Sequence, residues 1–193
     1  MRGRVRQRDW TLSGICLAVL LGQAPVAAGP PVQGTPAAKL LPARTADSAF
    51  FIARSTNRNQ VHYGVRVDSD CRPQGAQPVH AYWRMLEKGE KSTEPLLGRE
   101  GPAYGLGDVQ QVEATSSGWR VHVRLRAWPD RAIDLDVFRE NGHCAARAYT
   151  VMEGRVAQIE RIFVKTAWPT GVAYVLLSGT GVDGRSAREV IKK

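Results

Sequence analysis

The stretch W-R-V-H-V-R-L-R-A-W, Trp119 to Trp128, alternates apolar and polar residues without a break. Successive side chains of a strand point to opposite faces, so this period of two predicts a half-buried β-strand. The predicted inward residues are Trp119, Val121, Val123, Leu125 and Ala127, and the outward residues are Arg120, His122, Arg124 and Arg126.

The next run, Ile133 to Glu140, is predicted to pair with this strand across a loop of Pro129, Asp130 and Arg131, with Trp128 opposite Ala132. In this register apolar residues oppose each other inside, and opposite charges oppose each other outside. A slip by one residue would place an apolar side chain against an aspartate, so burial and charge favour the same pairing. The predicted pairs are Leu125–Leu135, Val123–Val137, Arg126–Asp134, Arg124–Asp136 and Arg120–Glu140.

Two turns extend this meander towards the C-terminus. Asn141-Gly142 predicts a type I′ hairpin turn, because both of its positions need positive φ. A second turn at Glu153-Gly154 would place Ala148 opposite Ile159. Arg161 would then point inward near Arg139, which indicates either a bulge or the sheet edge at this position, or an anion-binding spot formed by the two arginines. The predicted outer belt of alternating charge is Arg124, Asp136, Arg147 and Glu160.

Alternating or apolar runs predict strands in the rest of the domain as well. We therefore expect an all-β fold, a single antiparallel sandwich or barrel of about eight strands. Ser186 to Glu189 resembles a capping box and predicts a short C-terminal helix, although Glu189 to Lys192 is equally consistent with an edge strand. The further predicted strands are Phe50 to Ser55, Val61 to Val67, Val79 to Leu86, Val109 to Thr115 and Val172 to Ser178.

The N-terminal region predicts export. Residues 1–28 place four arginines before an apolar run that ends in small residues, which is typical of a secretory signal peptide cleaved near Ala28; an uncleaved anchor is the alternative. Residues 29–45 are rich in proline and predict a flexible linker. The folded domain then covers residues 46–193. We expect a secreted or periplasmic protein without a transmembrane segment in the mature chain.

Charge and cysteine content fit this location. Removing the four arginines and Asp9 of the predicted signal peptide leaves 23 basic and 17 acidic residues, a net charge of +6. Basic residues mostly alternate with acidic ones, which argues against nucleic acid as a partner. Cys71 and Cys144 are the two cysteines left, and an even number in an oxidising compartment predicts one disulfide. Two buried free thiols are the alternative.

Motifs for known chemistry are weak. Gly179-x-Gly181-x-x-Gly184 formally matches a dinucleotide fingerprint, but only nine residues follow it, so no second parallel strand can form and a glycine-rich turn is expected. The histidines, His62, His80, His122 and His143, show no metal-ligand spacing. We expect no metal and no cofactor, and no catalytic residue is assigned.

Three short motifs stand out for their polar and aromatic content: R-S-T-N-R-N-Q-V-H-Y from Arg54 to Tyr63, P-V-H-A-Y-W from Pro78 to Trp83, and A-Y-G from Ala103 to Gly105. In these elements the chain resembles domain of unknown function family 4833, found mainly in exported bacterial proteins. The resemblance covers the domain from about Phe50 to the C-terminus. It implies no known activity, cofactor or site residue.

Two accounts of these motifs remain open. In the structural account, the asparagines form turns, Tyr63 and Trp83 pack in the core, and Arg54 pairs with a carboxylate such as Glu87. In the functional account, six side chains line one pocket suited to a sugar ring or a carboxylate-bearing ligand. These candidate ligand-binding residues are Arg54, Asn57, Asn59, Tyr82, Trp83 and Tyr104.

We expect a non-catalytic binding or interaction module of the cell envelope, whose partner is a small polar or sugar ligand or an envelope protein. The first alternative is an envelope hydrolase or carbohydrate-active enzyme at the same cluster, using Glu87, Glu94 or Glu100. The second is a structural protein that docks through a sheet edge.

Overall fold

The computed structural model describes residues 41, 43–87, 92–168 and 171–192. The predicted signal peptide lies outside the described residues, and so does most of the predicted linker. The first strand, Arg44–Thr45, begins just before the predicted domain boundary and pairs with Ala146 and Ala145.

Strands dominate the described chain, so the all-β prediction is confirmed. There are twelve of them among the described residues where about eight were predicted; two of the additional ones are very short. A 3-10 turn at Gly98–Glu100 continues into the four-residue helix α1, Gly101–Tyr104. The strands are β1 Arg44–Thr45, β2 Phe50–Arg54, β3 Gln60–Val65, β4 Val79–Arg84, β5 Thr93–Pro95, β6 Gln111–Thr115, β7 Gly118–Leu125, β8 Trp128–Glu140, β9 His143–Met152, β10 Arg155–Ala167, β11 Gly171–Gly181 and β12 Ser186–Lys192.

All these strands belong to one hydrogen-bonded sheet that does not close into a barrel. Its longest path runs β5-β4-β3-β2-β10-β9-β8-β7-β6, while β11 and β12 continue from the other edge of β10. The expected pair of separate sheets, or closed barrel, is therefore replaced by one branched sheet.

The branch lies at β10, which uses the two halves of one edge for different partners. Its first half, Arg155–Gln158, pairs antiparallel with β9, and its second half, Ile162–Val164, pairs parallel with β2. The sheet thereby divides into an N-terminal wing, β2 to β5, and a central wing, β6 to β9. Buried side chains from both wings form a single core, in which Phe50 stacks on Tyr63 with ring centroids 4.4 Å apart.

The predicted register between β7 and β8 is wrong by four residues. The connection is a two-residue turn at Arg126 and Ala127, and Pro129, Asp130 and Arg131 form a bulge inside β8 instead of the loop. Proline has no N–H for the ladder, so a bulge accommodates it well. An even shift keeps every side chain on its predicted face, which is why burial alone did not reveal the error. The observed pairs are Trp119–Val137, Arg120–Asp136, Val121–Leu135, His122–Asp134 and Val123–Ile133.

The β8–β9 register is confirmed, since Asp136 lies opposite Arg147. Its turn has φ of 51° at Asn141 and 80° at Gly142, as a type I′ turn requires. The predicted charged belt is wrong, however, because β10 leaves β9 after Gln158–Tyr149. Arg124 lies opposite Ala132 and Arg147 binds Glu140 at 3.2 Å, while Asp136 is bound by Arg120 with nitrogen–oxygen distances of 2.6 and 3.0 Å.

The structure distinguishes the alternatives that the sequence left open for Arg161 and for the C-terminal residues. A register shift between Ile159 and Arg161 turns Arg161 outward, so the bulge explanation is confirmed for this residue. The C-terminus forms edge strand β12, which pairs with β11, and the predicted terminal helix is wrong. Gly179 and Gly181 lie within β11, and only Gly184 of the three glycines lies in the turn.

The disulfide prediction is confirmed, with Cys71 and Cys144 joined across a Cα–Cα distance of 5.3 Å. It connects the loop after β3 to β9 and so fastens the N-terminal wing to the central wing. No helix in the described part of the chain has the length and apolar character needed to cross a bilayer.

We expect the double variant Cys71→Ser/Cys144→Ser to fold with a lower free energy of unfolding. The bridge closes a loop with a sequence separation of 73 residues, and the chain-entropy model assigns such loops up to ~4 kcal/mol. Urea unfolding of the oxidised wild type, the reduced wild type and the variant measures the loss. Equal midpoints for all three would contradict a stabilising role for the bridge.

Candidate functional site

The elbow between β2 and β3 is built by two asparagine side chains. Asn57 Oδ1 accepts hydrogen bonds from Arg54 Nε at 3.1 Å and from the Asn59 backbone N–H at 3.2 Å, which is an Asx-type turn. Asn59 is buried, and its Oδ1 accepts from the backbone N–H groups of Leu86 and Glu87 at 2.8 and 3.0 Å. The Asn57 oxygen therefore shapes the elbow itself, and the Asn59 oxygen holds the elbow against the end of β4.

Trp83 joins this elbow to α1. Its indole N–H donates to Glu100 Oε2 at 2.8 Å, and the same oxygen accepts from the Leu97 N–H at 2.9 Å. The rings of Trp83 and Tyr104 meet edge to face at 5.4 Å, while the Arg54 guanidinium lies 4.5 Å above the Trp83 ring. The pair of rings and the cation thus fix one another's positions.

Five of the six predicted site residues come together in this cluster: Arg54, Asn57, Asn59, Trp83 and Tyr104. Tyr82 does not belong to it, because it precedes Trp83 on a strand and points to the opposite face. Its hydroxyl donates to the Asp47 carbonyl, and its ring lies beside His62 and His80. The expected Arg54–Glu87 ion pair is replaced by the Arg54–Asn57 hydrogen bond.

An apolar cavity of about 360 Å³ opens beside the cluster. Tyr104 forms part of its wall, and the remaining wall comes from both wings and from β10 to β12. Sequence reasoning missed this cavity because its residues come from six separate segments with no common spacing. They are Ile52, Pro102, Ala103, Tyr104, Leu125, Ala127, Trp128, Ile162, Val164, Val172, Val175 and Ile191.

Two arginines lie beside this cavity. Arg54 follows Ile52 on the same face of β2 and is paired with Val164, so it lies next to two wall residues. Arg131 covers the ring of Trp128 at 4.3 Å. It is clamped by Glu189, with nitrogen–oxygen distances of 2.6 and 2.8 Å, and this pair lowers the pKa of the Glu189 carboxyl. Arg54 has no such carboxylate among the described residues.

The outer face of the N-terminal wing carries a second, shallower hollow of about 490 Å³. It lies at the end of a stacked row of rings, in which Phe51, His62, Tyr82 and His80 follow one another at 5.3, 5.8 and 5.7 Å. Its other walls include Asp47, Thr93 and Glu94. The described residues contain no group of three or more histidine, cysteine or acidic side chains arranged to hold a metal.

One serine–histidine pair has the form used in nucleophilic catalysis. Ser48 Oγ lies 2.6 Å from His62 Nδ1, and His62 Nε2 lies 2.9 Å from Gln60 Oε1. Because an amide oxygen only accepts, Nε2 carries the proton and Nδ1 accepts from the serine. Burial, with Arg84 and Arg44 nearby, lowers the pKa of His62 to about 4. An imidazole with this pKa is a weak base, so the pair is better suited to fastening the β1–β2 connection to the sheet.

The carboxylates singled out for hydrolysis come from three separate segments. Glu100 is held in the turn before α1 by Trp83 and Leu97. Glu94 lies on edge strand β5 opposite Trp83, the residue that binds Glu100, and it also lines the outer hollow. Glu87 follows β4, where its backbone N–H donates to Asn59. Of the three side chains, only that of Glu100 has a hydrogen-bond partner among the described residues.

We expect Trp83→Phe to lower the free energy of unfolding by about 1.5 to 3 kcal/mol, because the Glu100 carboxylate loses a charge-assisted hydrogen bond. Trp168→Phe is the matched control, since Trp168 is 95% exposed, and we expect a change within about 0.5 kcal/mol. Chemical denaturation of Trp83→Phe, Glu100→Gln and the double variant Trp83→Phe/Glu100→Gln supplies the double-mutant cycle. A coupling energy of zero between positions 83 and 100 would contradict this role.

Protonation of His62 should destabilise the fold in acid. Its pKa is about 4 in the folded chain and near 6.5 when unfolded, so its contribution is complete above pH 6.5 and is lost as the pH falls towards 4. We expect a loss on the order of 2 kcal/mol, with allowance for partial exposure to solvent. In denaturation curves across this range, His62→Gln should flatten the pH dependence of the free energy of unfolding, and an unchanged pH dependence would contradict this role.

Comparisons with known proteins identify the family of the chain and no function. No curated protein and no solved structure shows significant similarity to the chain. The family described as Domain of unknown function (DUF4833) matches residues 50–193, which include the elbow, the cluster around Trp83, α1 and every strand from β2 to β12. The chain is a member of the DUF4833 family.

Proposed function

We propose that this chain is an exported, non-catalytic binding module of the cell envelope, and that its ligand is a small molecule with an apolar body and a carboxylate. The observation that carries the proposal is the apolar cavity of about 360 Å³, whose wall residues Ile52 and Val164 adjoin Arg54 in the sheet. The ligand body would occupy the cavity, and its carboxylate would meet the arginine.

The size and walls of the cavity favour an apolar body. Small-molecule pockets typically measure ~300 to 1,000 Å³ and are lined mainly by apolar side chains. Here the walls are aliphatic and aromatic, which suits a ring or a short acyl chain. A sugar is less well matched, because the Asn57 and Asn59 oxygens and the Trp83 N–H already have partners within the protein.

Arg54 is prepared for an anionic group. Its Nε is engaged by Asn57 and its plane is stacked over Trp83, so the guanidinium is held in place before any ligand arrives. The two terminal amino groups remain for a carboxylate, which guanidinium groups bind through paired hydrogen bonds. A fixed donor loses little conformational entropy on binding, which favours affinity.

The signal sequence and the disulfide support export. Residues 1–28 have the composition of a cleavable signal peptide, and disulfides such as Cys71–Cys144 persist in oxidising compartments. The weak basicity of His62 favours binding over hydrolysis at the Ser48–His62 pair.

We expect octanoate and 3-phenylpropionate to raise the melting temperature of the mature chain, and octanol and 3-phenylpropanol to do so less. Ligand at a hundredfold excess over its dissociation constant stabilises by ~2.7 kcal/mol. Arg54→Gln should remove the preference for the acids. Arg58 lies in the same elbow but forms no hydrogen bond or ion pair among the described residues, so Arg58→Gln should keep the preference for the acids.

Filling the cavity distinguishes this site from any other. Val172 lines it and the neighbouring Ala173 is exposed. Val172→Phe should abolish the thermal shift, while Ala173→Phe should retain it. Unchanged binding to a folded Val172→Phe would refute the cavity as the site, and equal shifts with acids and alcohols would refute the role of Arg54.

A further inference from the structure

Strands β10, β11 and β12 turn one face away from the core, and three cross-strand rows of side chains project from it. Residues directly opposite one another in antiparallel strands share a face of the sheet. The residues two positions further along each strand project from the same face. We call this surface the basic face. Its rows are Arg161–Ser178–Arg188, Phe163–Leu176–Val190 and Lys165–Tyr174–Lys192.

The charges of the basic face are all positive and are not neutralised by ion pairs within the described residues. Arg161, Arg188, Lys165 and Lys192 are exposed, and none is close enough to an acidic side chain to form a salt bridge. Glu189 belongs to the opposite face, where it binds Arg131. No acidic residue occupies a position in the three rows.

Apolar surface lies between and beyond these charges. The middle row exposes half of Val190 and part of Phe163 between two basic rows. Trp168, directly after β10, is 95% exposed. A fully exposed tryptophan is unusual on a surface that only meets water, whereas it is common where proteins meet the bilayer interface.

We propose that the basic face docks this protein on the surface of an anionic lipid bilayer. The headgroup phosphates would meet the four cations, while Trp168 and the middle row would reach the boundary between headgroups and acyl chains. A bilayer surface offers negative charge and apolar depth together, as the alternating rows require. A polyanion in water offers only the charge. This contact is independent of the proposed ligand site.

The test is cosedimentation of the mature chain with vesicles of phosphatidylcholine, with and without phosphatidylglycerol. We expect binding only to the anionic vesicles, and weaker binding at high salt. Each basic residue near such a surface strengthens binding about fivefold, so Lys165→Glu/Lys192→Glu should weaken it by at least about twentyfold. Trp168→Ala should weaken it without lowering the melting temperature, because little packing is lost.

The matched control is Arg99→Glu/Arg124→Glu, which changes the net charge equally at two exposed arginines away from the basic face. It should bind anionic vesicles nearly as well as the wild type. Equal losses in the two double variants would overturn the proposal, since they would report net charge alone. So would no binding to anionic vesicles, or binding to soluble polyglutamate that is as strong as binding to vesicles.

Discussion

The structure depends on the single hydrogen-bonding edge that β10 shares between β9 and β2. A strand edge offers each N–H and C=O once, so β9 must leave where β2 begins. The bulge between Ile159 and Arg161 lies at this changeover and adds a local twist. The two wings therefore diverge from one strand, and their apolar faces enclose the core. The disulfide joins them again, from the loop after β3 to β9.

The sequence predicts faces better than it predicts partners. Alternation assigns Val121, Val123 and Leu125 to the core, and all three are buried. Registers that differ by an even number of residues leave these faces unchanged, so alternation cannot separate the observed pairing from the one displaced by four. The turn predicted at Asn141-Gly142 is confirmed, because backbone sterics at positive φ restrict which residues can form a type I′ turn. The branch at β10 could not be predicted, because β2 lies about a hundred residues away and nothing local specifies a parallel partner.

In the candidate site, too, the sequence predicts some features and not others. The motif residues around Arg54 and Trp83 do assemble, since they lie on neighbouring strands and their elbow. Tyr82 could have been separated from Trp83 on the sequence alone, because consecutive residues of a strand cannot line one pocket from the same face. The cavity itself left no signal, since valine and isoleucine at Val164, Val175 and Ile191 are equally expected in a closed core. Only the divergence of the wings makes those positions the wall of an opening.

Strands β10, β11 and β12 connect the two proposed binding surfaces. Val164, Val175 and Ile191 line the cavity, and their neighbours in sequence, Lys165, Tyr174 and Lys192, form one row of the basic face. The period of two that builds a half-buried sheet therefore also places an apolar pocket on one side and a cationic surface on the other. Burial in the core explains Val164, Val175 and Ile191 only in part, because the two wings leave the cavity that these residues line open. Burial does not explain Lys165, Tyr174 and Lys192 at all, since neutral polar residues would suit a solvent-exposed face equally well. The proposed binding on both sides of these three strands would account for both sets of residues.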